Sequence, residues 1–168
     1  MSSIRLNLMS PKTITEGVKK ILNHLCLQEK DAEYLEFIKP KKFTPAPIEC
    51  HLNVWVQCNK EGGSAVSGWM IAEDPKHHFV EAQYHTVWIS PSGKLVDITP
   101  RQDKEKKVLF VPDYARPLKF NVSPDGNTIF FIYTNCKMQF KKIIVDIERV
   151  QIMSNSKFAI KHGFYKKG

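Results

Sequence analysis

Three side chains near the middle of the chain have the chemistry of a nucleophilic catalytic site. Cys50 opens a helix-like stretch, CHLNVWVQ, over residues 50–57. His85 lies in a strand-like run, EAQYHTVWI, and Asp97 lies in the next such run, LVDIT. A thiol, an imidazole and a carboxylate are the nucleophile, base and orienting group of a catalytic triad. The sequence therefore predicts a candidate catalytic site made of Cys50, His85 and Asp97.

The turn between the two strand-like runs decides whether the histidine and the carboxylate can meet. Residues 90–93, with the sequence SPSG, suit a type I turn that ends on a glycine in the left-handed bulge position. In that register Val87 faces Asp97 and His85 faces Thr99. His85 and Asp97 then share a face as diagonal neighbours, roughly 7–8 Å apart. A slip of one residue would place them on opposite faces.

Length and composition indicate one folded domain. The chain has 168 residues, of which 42% are hydrophobic and 11% aromatic, and this composition argues against disorder. No apolar run approaches the roughly 20 residues that a membrane span needs. The first ten residues lack a secretory signal, so we expect a cytoplasmic protein. Export by a route that needs no signal peptide is the alternative. The four cysteines contain no CxxC pair and are interpreted as free thiols in a reducing compartment.

The chain is basic, with a net charge of +8. The excess is spread along the sequence, without an arginine-rich stripe or a basic motif interleaved with aromatic residues. We therefore interpret it as solubilising surface charge, and nucleic acid is not expected as a partner. The oligomeric state is left open.

The hydrophobic pattern predicts an α+β fold, with N-terminal helices packed on an antiparallel sheet. Residues 1–47 form a helical region (13–38) and a connector (39–47), residues 48–135 form the helix and sheet core, and residues 136–168 form a C-terminal element. Within the core we expect a helix at 50–61, ended by Gly62 and Gly63, and five strands, at 65–72, 79–90, 94–99, 108–111 and 127–133. The pattern after residue 136 fits either a helix or a strand.

The order of these residues resembles the core of the papain-like superfamily. A cysteine opens a helix, a histidine follows on a strand, and an aspartate lies on the hairpin partner. The transglutaminase-like branch and bacterial cell-wall cysteine amidases are similar in layout, and residues 50–100, about a third of the chain, also resemble a little-characterised group of small bacterial proteins. The resemblance implies a papain-like or transglutaminase-like core, with Cys50 as nucleophile, His85 as base and Asp97 as orienting group.

An oxyanion hole in this site would need a side-chain donor, for which the sequence offers two candidates. Papain-like peptidases supply a glutamine shortly before the cysteine, and residues 45–49 contain none. The Cys50 backbone N–H can act together with a side-chain donor. Gln83 is the better candidate, because it shares a face of its strand with His85, and Asn53, one turn along the helix, is the other.

Four further aromatic or imidazole side chains have weaker interpretations. Trp69 belongs either to the core or to the wall of a substrate groove, and we keep it as a candidate for substrate contact. His51 should point away from Cys50, about 100° around the helix. The loop pair His77 and His78 matches no zinc spacing, so no metal and no other cofactor is expected.

The leading hypothesis is a cysteine-dependent acyl-transfer enzyme that acts on an amide or ester through a thioester, with a protein or peptide as the expected substrate. Water as acceptor would make it a peptidase, an amidase or a glutamine deamidase, and an amine would make it a transglutaminase. A secreted bacterial effector is one setting for such an enzyme. The alternative is a non-catalytic binding module on the same scaffold, whose basic surface, for example at Lys141 and Lys142, binds an anionic partner.

Overall fold

A computed structural model describes residues 4–103 and 105–166. The described residues form helices and strands in an α+β arrangement. The helices are α1 (Glu16–His24), α2 (Cys50–Glu61) and α3 (Lys157–Lys161), together with two single 3₁₀ turns at Glu29–Asp31 and Pro75–His77. The strands are β1 (Glu33–Glu36), β2 (Ser64–Asp74), β3 (Phe79–Ile89), β4 (Leu95–Val96), β5 (Lys107–Pro112), β6 (Lys119–Val122), β7 (Thr128–Tyr133), β8 (Cys136–Gln139), β9 (Lys142–Val145) and β10 (Arg149–Ile152). None of the helices within the described ranges is both long and apolar enough to cross a membrane.

Two antiparallel sheets contain all ten strands. The larger sheet has the order β1-β5-β2-β3-β8-β9, with β4 paired to β3, and the smaller has the order β10-β7-β6. The long strands β2 and β3 form the centre of the larger sheet, with eleven residue pairs from Ser64 opposite Ile89 to Asp74 opposite Phe79. The α+β class and the antiparallel sheet are therefore as predicted from the hydrophobic pattern.

The second edge of β3 is shared between two short strands. β8 pairs with residues 79–82 of β3, and β4 pairs with Trp88 and Ile89. Among the described residues, the stretch 83–87 has no strand partner on this side. The Tyr84 N–H in this stretch donates instead to the side-chain oxygen of Asn135, at 3.3 Å. The gap leaves space for a side chain from outside the sheet to reach β3.

The helices cover the sheet through apolar faces. Thr15 caps α1 by accepting a hydrogen bond from the Val18 N–H, and Val18, Ile21 and Leu22 of this helix are fully or almost fully buried. They pack with residues of the central strands, such as Trp69 and Ile71. On α2, Leu52, Val54 and Val56 are buried, and Gly62 ends the helix with a φ of 75°, as expected for a paired-glycine stop.

The N-terminal prediction of helix over 13–38 is correct only in part. Helix α1 ends at His24, and the segment containing Leu35 forms strand β1 in place of a second helix. Leu35 lies opposite Val108 of β5 and is buried against that strand. An isolated four-residue segment has little intrinsic preference, so pairing with a buried strand decides its conformation. The predicted connector over 39–47 contains neither helix nor strand.

The later part of the chain is richer in strands than its pattern indicates. The ambiguous region after residue 136 contains three strands, β8 to β10, and only a short helix, α3. The exposed strand β6 was not predicted, because its alternating pattern of polar and apolar residues spans only four positions, and all four are exposed. The predicted strand at 94–99 shortens to Leu95–Val96, because Asp97 leaves the ladder and forms a bridge with Phe37.

Gly68 should be the position in β2 least tolerant of a larger side chain. It lies opposite His85 on one side and Pro112 on the other. A Cβ atom at this position would come within 2.1 Å of the Val111 carbonyl oxygen and 2.8 Å of the Pro112 Cα. We expect Gly68→Ala to lower the free energy of unfolding by about 3 kcal/mol, measured by urea denaturation. Ser64→Ala, at the exposed start of the same strand, should change it by less than about 0.5 kcal/mol, and equal losses would contradict the close contact.

Candidate functional site

The structure brings together the three side chains predicted to form the site. Cys50 is the first residue of α2, whose N-terminus meets β3 beside the gap in its pairing, and His85 lies within that gap. Asp97 follows directly after β4. All three are buried, with exposed fractions of 6% for Cys50, 7% for His85 and 1% for Asp97. They meet although 35 and 12 residues separate them along the chain, as their numbering shows.

The hairpin has the register predicted from its turn. The Ser90 N–H donates to the Lys94 carbonyl, Trp88 lies opposite Val96, and Gly93 has a φ of 89°. This register places the imidazole of His85 beside the carboxylate of Asp97. The distance from His85 Nε2 to Asp97 Oδ1 is 3.1 Å.

Among the described residues, only one of the two carboxylate oxygens of Asp97 accepts hydrogen bonds. Its Oδ1 atom accepts hydrogen bonds from His85 and from the Thr99 N–H, the latter at 3.2 Å. Its Oδ2 atom is buried and has no hydrogen-bond partner among the described residues. The imidazole is therefore oriented by a fixed carboxylate, and its second nitrogen, Nδ1, does not take part in this bond.

Two imidazoles face the sulfur of Cys50. His51 Nδ1 is 3.6 Å from Cys50 Sγ. His85 is close enough to lower the pKa of the Cys50 thiol, but among the described residues only His51 makes a hydrogen-bond contact with the sulfur. The prediction that His51 points away from Cys50 is wrong. The first turn of the helix lies against β3, and Thr86 draws the His51 ring back towards the strand through a hydrogen bond of 2.7 Å.

The electrostatics of the site favour a charged thiolate and imidazolium. Burial alone would raise the pKa of the Cys50 thiol, but the charges and hydrogen bonds of His51 and His85 outweigh it and hold this pKa well below its ordinary value. Burial alone would lower the pKa of the His85 imidazole, but Asp97 and Cys50 outweigh it and raise this pKa to about 10. The two groups thus stabilise each other's charged forms.

The charge of Asp97 is retained despite its burial. Burial opposes ionisation, whereas His85, the Thr99 N–H and Arg101 favour it, and the pKa of the carboxyl group lies below its ordinary value as a result. The line of groups from sulfur to carboxylate carries alternating charge. An arrangement of this kind prepares a thiolate for attack on a carbonyl carbon.

The site opens into a cleft of about 440 Å³. Cys50, His85 and Asp97 all line it, and its polar side chains include Gln83, Gln102 and Asn135, with Arg101 and Asp103 near each other in an ion pair at 2.6 Å. Ile48 lies in the cleft wall just before the helix, is 84% exposed and has a φ of 70°. A β-branched residue rarely adopts such a φ, and backbone strain of this type concentrates at functional sites.

Gln83 and Asn53, the two candidate side-chain donors, have different positions. Gln83 lines the cleft, and its one side-chain hydrogen bond within the described ranges is a long one, of 3.4 Å, to Glu81. Asn53 is completely buried and accepts from the Ala46 N–H at 2.9 Å, while its amide donates to the Ala46 carbonyl and to Thr99 Oγ1. Asn53 therefore ties the segment before Cys50 to the segment after Asp97 and has no free donor for a substrate.

Trp69 does not line the cleft. Its side chain is fully buried in the core, and its indole N–H donates to Asp113 Oδ2 at 2.8 Å. The interpretation of Trp69 as a substrate contact is wrong, because the strand turns this residue towards α1. The core alternative for this tryptophan is the one that holds.

One further group combines side chains that bind metals elsewhere. The ligand atoms of His24, Cys136 and Asp146 lie within 4.8 Å of one another. His24 and Asp146 already form an ion pair at 2.9 Å, and burial followed by the charge of Asp146 raises the pKa of the Cys136 thiol to about 11. The positive charge of Arg116 acts on both Cys136 and Asp146, which opposes a bound cation. We therefore interpret this group as a salt bridge above a buried thiol.

The loop histidines are engaged in local contacts. His77 Nδ1 is 2.7 Å from Asp74 Oδ2, and the His78 ring stacks on Phe140 with centroids 4.7 Å apart. Neither lines the cleft that contains Cys50.

Comparison of this chain with protein-family models, with curated proteins and with solved structures found no significant match. The geometry of the site is accordingly the basis for any functional inference.

Substitution of Asn53 should affect stability far more than substitution of Gln83. Asn53→Ala leaves the Ala46 N–H and carbonyl and the Thr99 hydroxyl without their partner, so we expect a loss of about 2–3 kcal/mol in the free energy of unfolding. Gln83→Ala removes a half-buried cleft side chain and should cost less than about 1 kcal/mol. Urea denaturation of both variants measures this. A larger loss for Gln83→Ala would contradict the structural role of Asn53.

The raised pKa of His85 should depend on Asp97. Asp97→Asn preserves the shape of the side chain and removes its charge, so we expect the His85 pKa to fall from about 10 towards or below its ordinary value of about 6.5. The pH titration of the His85 ring signals by NMR measures this. Cys50→Ala, which leaves Asp97 in place, should lower the pKa less. An unchanged His85 pKa in Asp97→Asn would show that the carboxylate does not stabilise the imidazolium.

The same shift has a consequence for stability. The folded-state pKa of His85 lies above its value of about 6.5 in an unfolded chain. The stabilisation from this group is therefore complete below about pH 6.5 and is lost as the pH rises through about 10.

Proposed function

We propose that this protein is a cysteine-dependent acyl-transfer enzyme, with a core of the papain-like or transglutaminase-like type. The observation that supports the proposal most directly is the buried cluster of Cys50, His85 and Asp97, in which the carboxylate bonds to the imidazole and the imidazole lowers the pKa of the thiol. The sulfur also lines an open cleft, so a substrate carbonyl has a route to it.

The proposed reaction has two steps. In the first, the Cys50 thiolate attacks an amide or ester carbonyl carbon and forms an S–C bond, and the bond from that carbon to the leaving group breaks. The His85 imidazolium gives its proton to the leaving amine or alcohol. In the second step, water or an amine attacks the thioester, His85 takes the proton of the attacking group, and the S–C bond breaks to regenerate the thiolate. Asp97 keeps the imidazole in place and stabilises its charged form in both steps.

The negative oxygen that develops on the carbonyl requires donors near the sulfur. Cys50 is the first residue of α2, so the helix supplies no acceptor for its backbone N–H, and the positive end of the helix dipole lies at the same point. Gln83 supports a second contact, because its amide lines the cleft and lacks a strong intramolecular partner. We propose that these two groups bind the oxyanion.

The cleft favours a neutral, polar substrate segment. Arg101 and Asp103 offset each other's charge, and amide side chains at positions 83, 102 and 135 face the same space. Such a lining suits the backbone and side-chain amides of a peptide, which both donate and accept hydrogen bonds. Hydrolysis, deamidation and transfer to an amine all remain compatible with this lining.

Selective alkylation provides the first test. At pH 6.5, iodoacetamide should react with Cys50 at least about tenfold faster than with the exposed Cys26, because a thiolate with a low pKa is present at a pH where an ordinary thiol is protonated. Peptide mapping by mass spectrometry measures the extent at each cysteine over time. His85→Asn should remove most of this advantage.

Acylation by p-nitrophenyl acetate tests the thioester step. The wild-type protein should release close to one nitrophenolate per chain in a fast phase and gain one acetyl group on Cys50, and Cys50→Ser should show neither. Cys58→Ser, in the same helix but with a thiol whose pKa burial raises, is the matched control and should behave like the wild type. Equal reactivity of Cys50 and Cys26, or acetylation elsewhere, would overturn the proposed function.

A further inference from the structure

The imidazole ring of His51 is held in place by neighbouring side chains. The ring packs against two aromatic rings, Tyr84, with centroids 5.9 Å apart, and Phe130, with centroids 6.1 Å apart and 30° between the ring planes. These neighbours come from two different sheets, because Tyr84 belongs to β3 and Phe130 to β7. These two contacts, together with the hydrogen bond to Thr86, restrict rotation of the ring. Its Nδ1 atom therefore stays close to the Cys50 sulfur.

A short chain of hydroxyl groups continues from this nitrogen into the core. Thr86 Oγ1 is 2.7 Å from His51 Nδ1, and Ser67 Oγ is 2.8 Å from Thr86 Oγ1. Thr86 is completely buried and Ser67 is 9% exposed. Buried hydroxyl groups need hydrogen-bond partners, so this arrangement fixes the position of the imidazole as well as its contact with the strand.

Consecutive residues of β3 thus place the two imidazoles. His85 presents its own ring to the sulfur, and the next residue, Thr86, holds the ring of His51. Successive side chains on a strand point to opposite faces, so the two rings approach the sulfur from the two faces of the same strand. Both His85 and Thr86 lie in the stretch 83–87, which has no strand partner on this side among the described residues.

We propose that His51 is a positioning residue that donates a hydrogen bond from Nδ1 to the Cys50 thiolate. This inference rests on the proposed function of Cys50. His85 must gain and lose a proton during each turnover, and its support of the sulfur changes as it does so. His51 has no such task in the proposed reaction and keeps the thiolate oriented throughout. As the donor, Nδ1 carries a ring proton, and this proton is shared between the sulfur and Thr86 Oγ1.

Several other charged or titratable groups surround the sulfur, and they limit how a pH profile is interpreted. Tyr84 faces it from β3, and the charge of Asp97 acts through His85. Glu49, just before the helix, bonds to the Ser154 hydroxyl at 2.5 Å, and the Arg101–Asp103 ion pair lines the cleft. The variants below leave all of these groups unchanged, so a shifted profile reports on His51.

The test is the pH profile of iodoacetamide alkylation at Cys50. His51→Phe keeps a ring between Tyr84 and Phe130 but has no nitrogen, so we expect the midpoint of the profile to rise by about one pH unit or more. His51→Asn puts an amide nitrogen near the Nδ1 position and should restore part of this shift. Thr86→Val, which loses only the hydroxyl group, should give a smaller rise. His24→Gln, at a histidine that does not line the cleft, is the control and should leave the midpoint unchanged.

The outcomes separate the two proposals. If Cys50 of the wild type alkylates no faster than Cys26, the proposed function fails. If Cys50 is fast and His51→Phe keeps the wild-type midpoint, only the role of His51 fails. Equal urea unfolding midpoints for His51→Phe and His51→Asn show that both fold, and a ¹⁵N spectrum of the wild-type ring that places the proton on Nε2 would also overturn the donor role.

Discussion

The interaction on which the rest of the site depends is the buried contact between His85 and Asp97. The carboxylate is 1% exposed, and within the part of the chain that the structure describes its bonded oxygen accepts from two donors, the His85 ring and the Thr99 N–H. A charge removed from water is costly unless a partner offsets it, so each of these groups needs the other in place. This requirement also sets the charge of the sulfur, because an imidazole that stays protonated stabilises a neighbouring thiolate.

The interrupted edge of β3 allows a helix to take part in a site built on a sheet. A fully paired strand would present its side chains only above and below the sheet. Here the edge is divided between β8 and β4, and the first turn of α2 contacts the stretch between them, where His51 bonds to Thr86. Asn53 holds this arrangement together, since its amide joins the segment before the helix to the segment after Asp97. The positioning of Cys50 therefore depends on a buried residue that is not one of the three proposed catalytic side chains.

The features that were correctly predicted from the sequence depend on local chemistry. The bounds of α2 follow from an apolar face and a pair of glycines, and the hairpin register follows from the Ser-Pro-Ser-Gly turn. The segment around Leu35 and the region after residue 136 were harder, because their short apolar runs fit more than one local structure. Asn53 and Trp69 show the same limit for side chains. Their polar groups suggested that both side chains contact a substrate in the cleft. In the folded chain these groups form hydrogen bonds in the interior instead.

The amino-acid sequence alone established the three chemical groups of the site and the bounds of the helix that begins at Cys50. Its turn residues also established that the histidine and the aspartate share one face. These features depend on interactions between residues that are close along the chain. The approach of the sulfur to that pair, the position of His51 and the shape of the cleft depend on how separate elements pack. A helical wheel places the His51 side chain away from Cys50 only for an isolated helix. In the folded chain a hydroxyl group of β3 and two aromatic rings set the direction of the His51 side chain. These contacts join residues far apart along the chain, so the local sequence does not predict them.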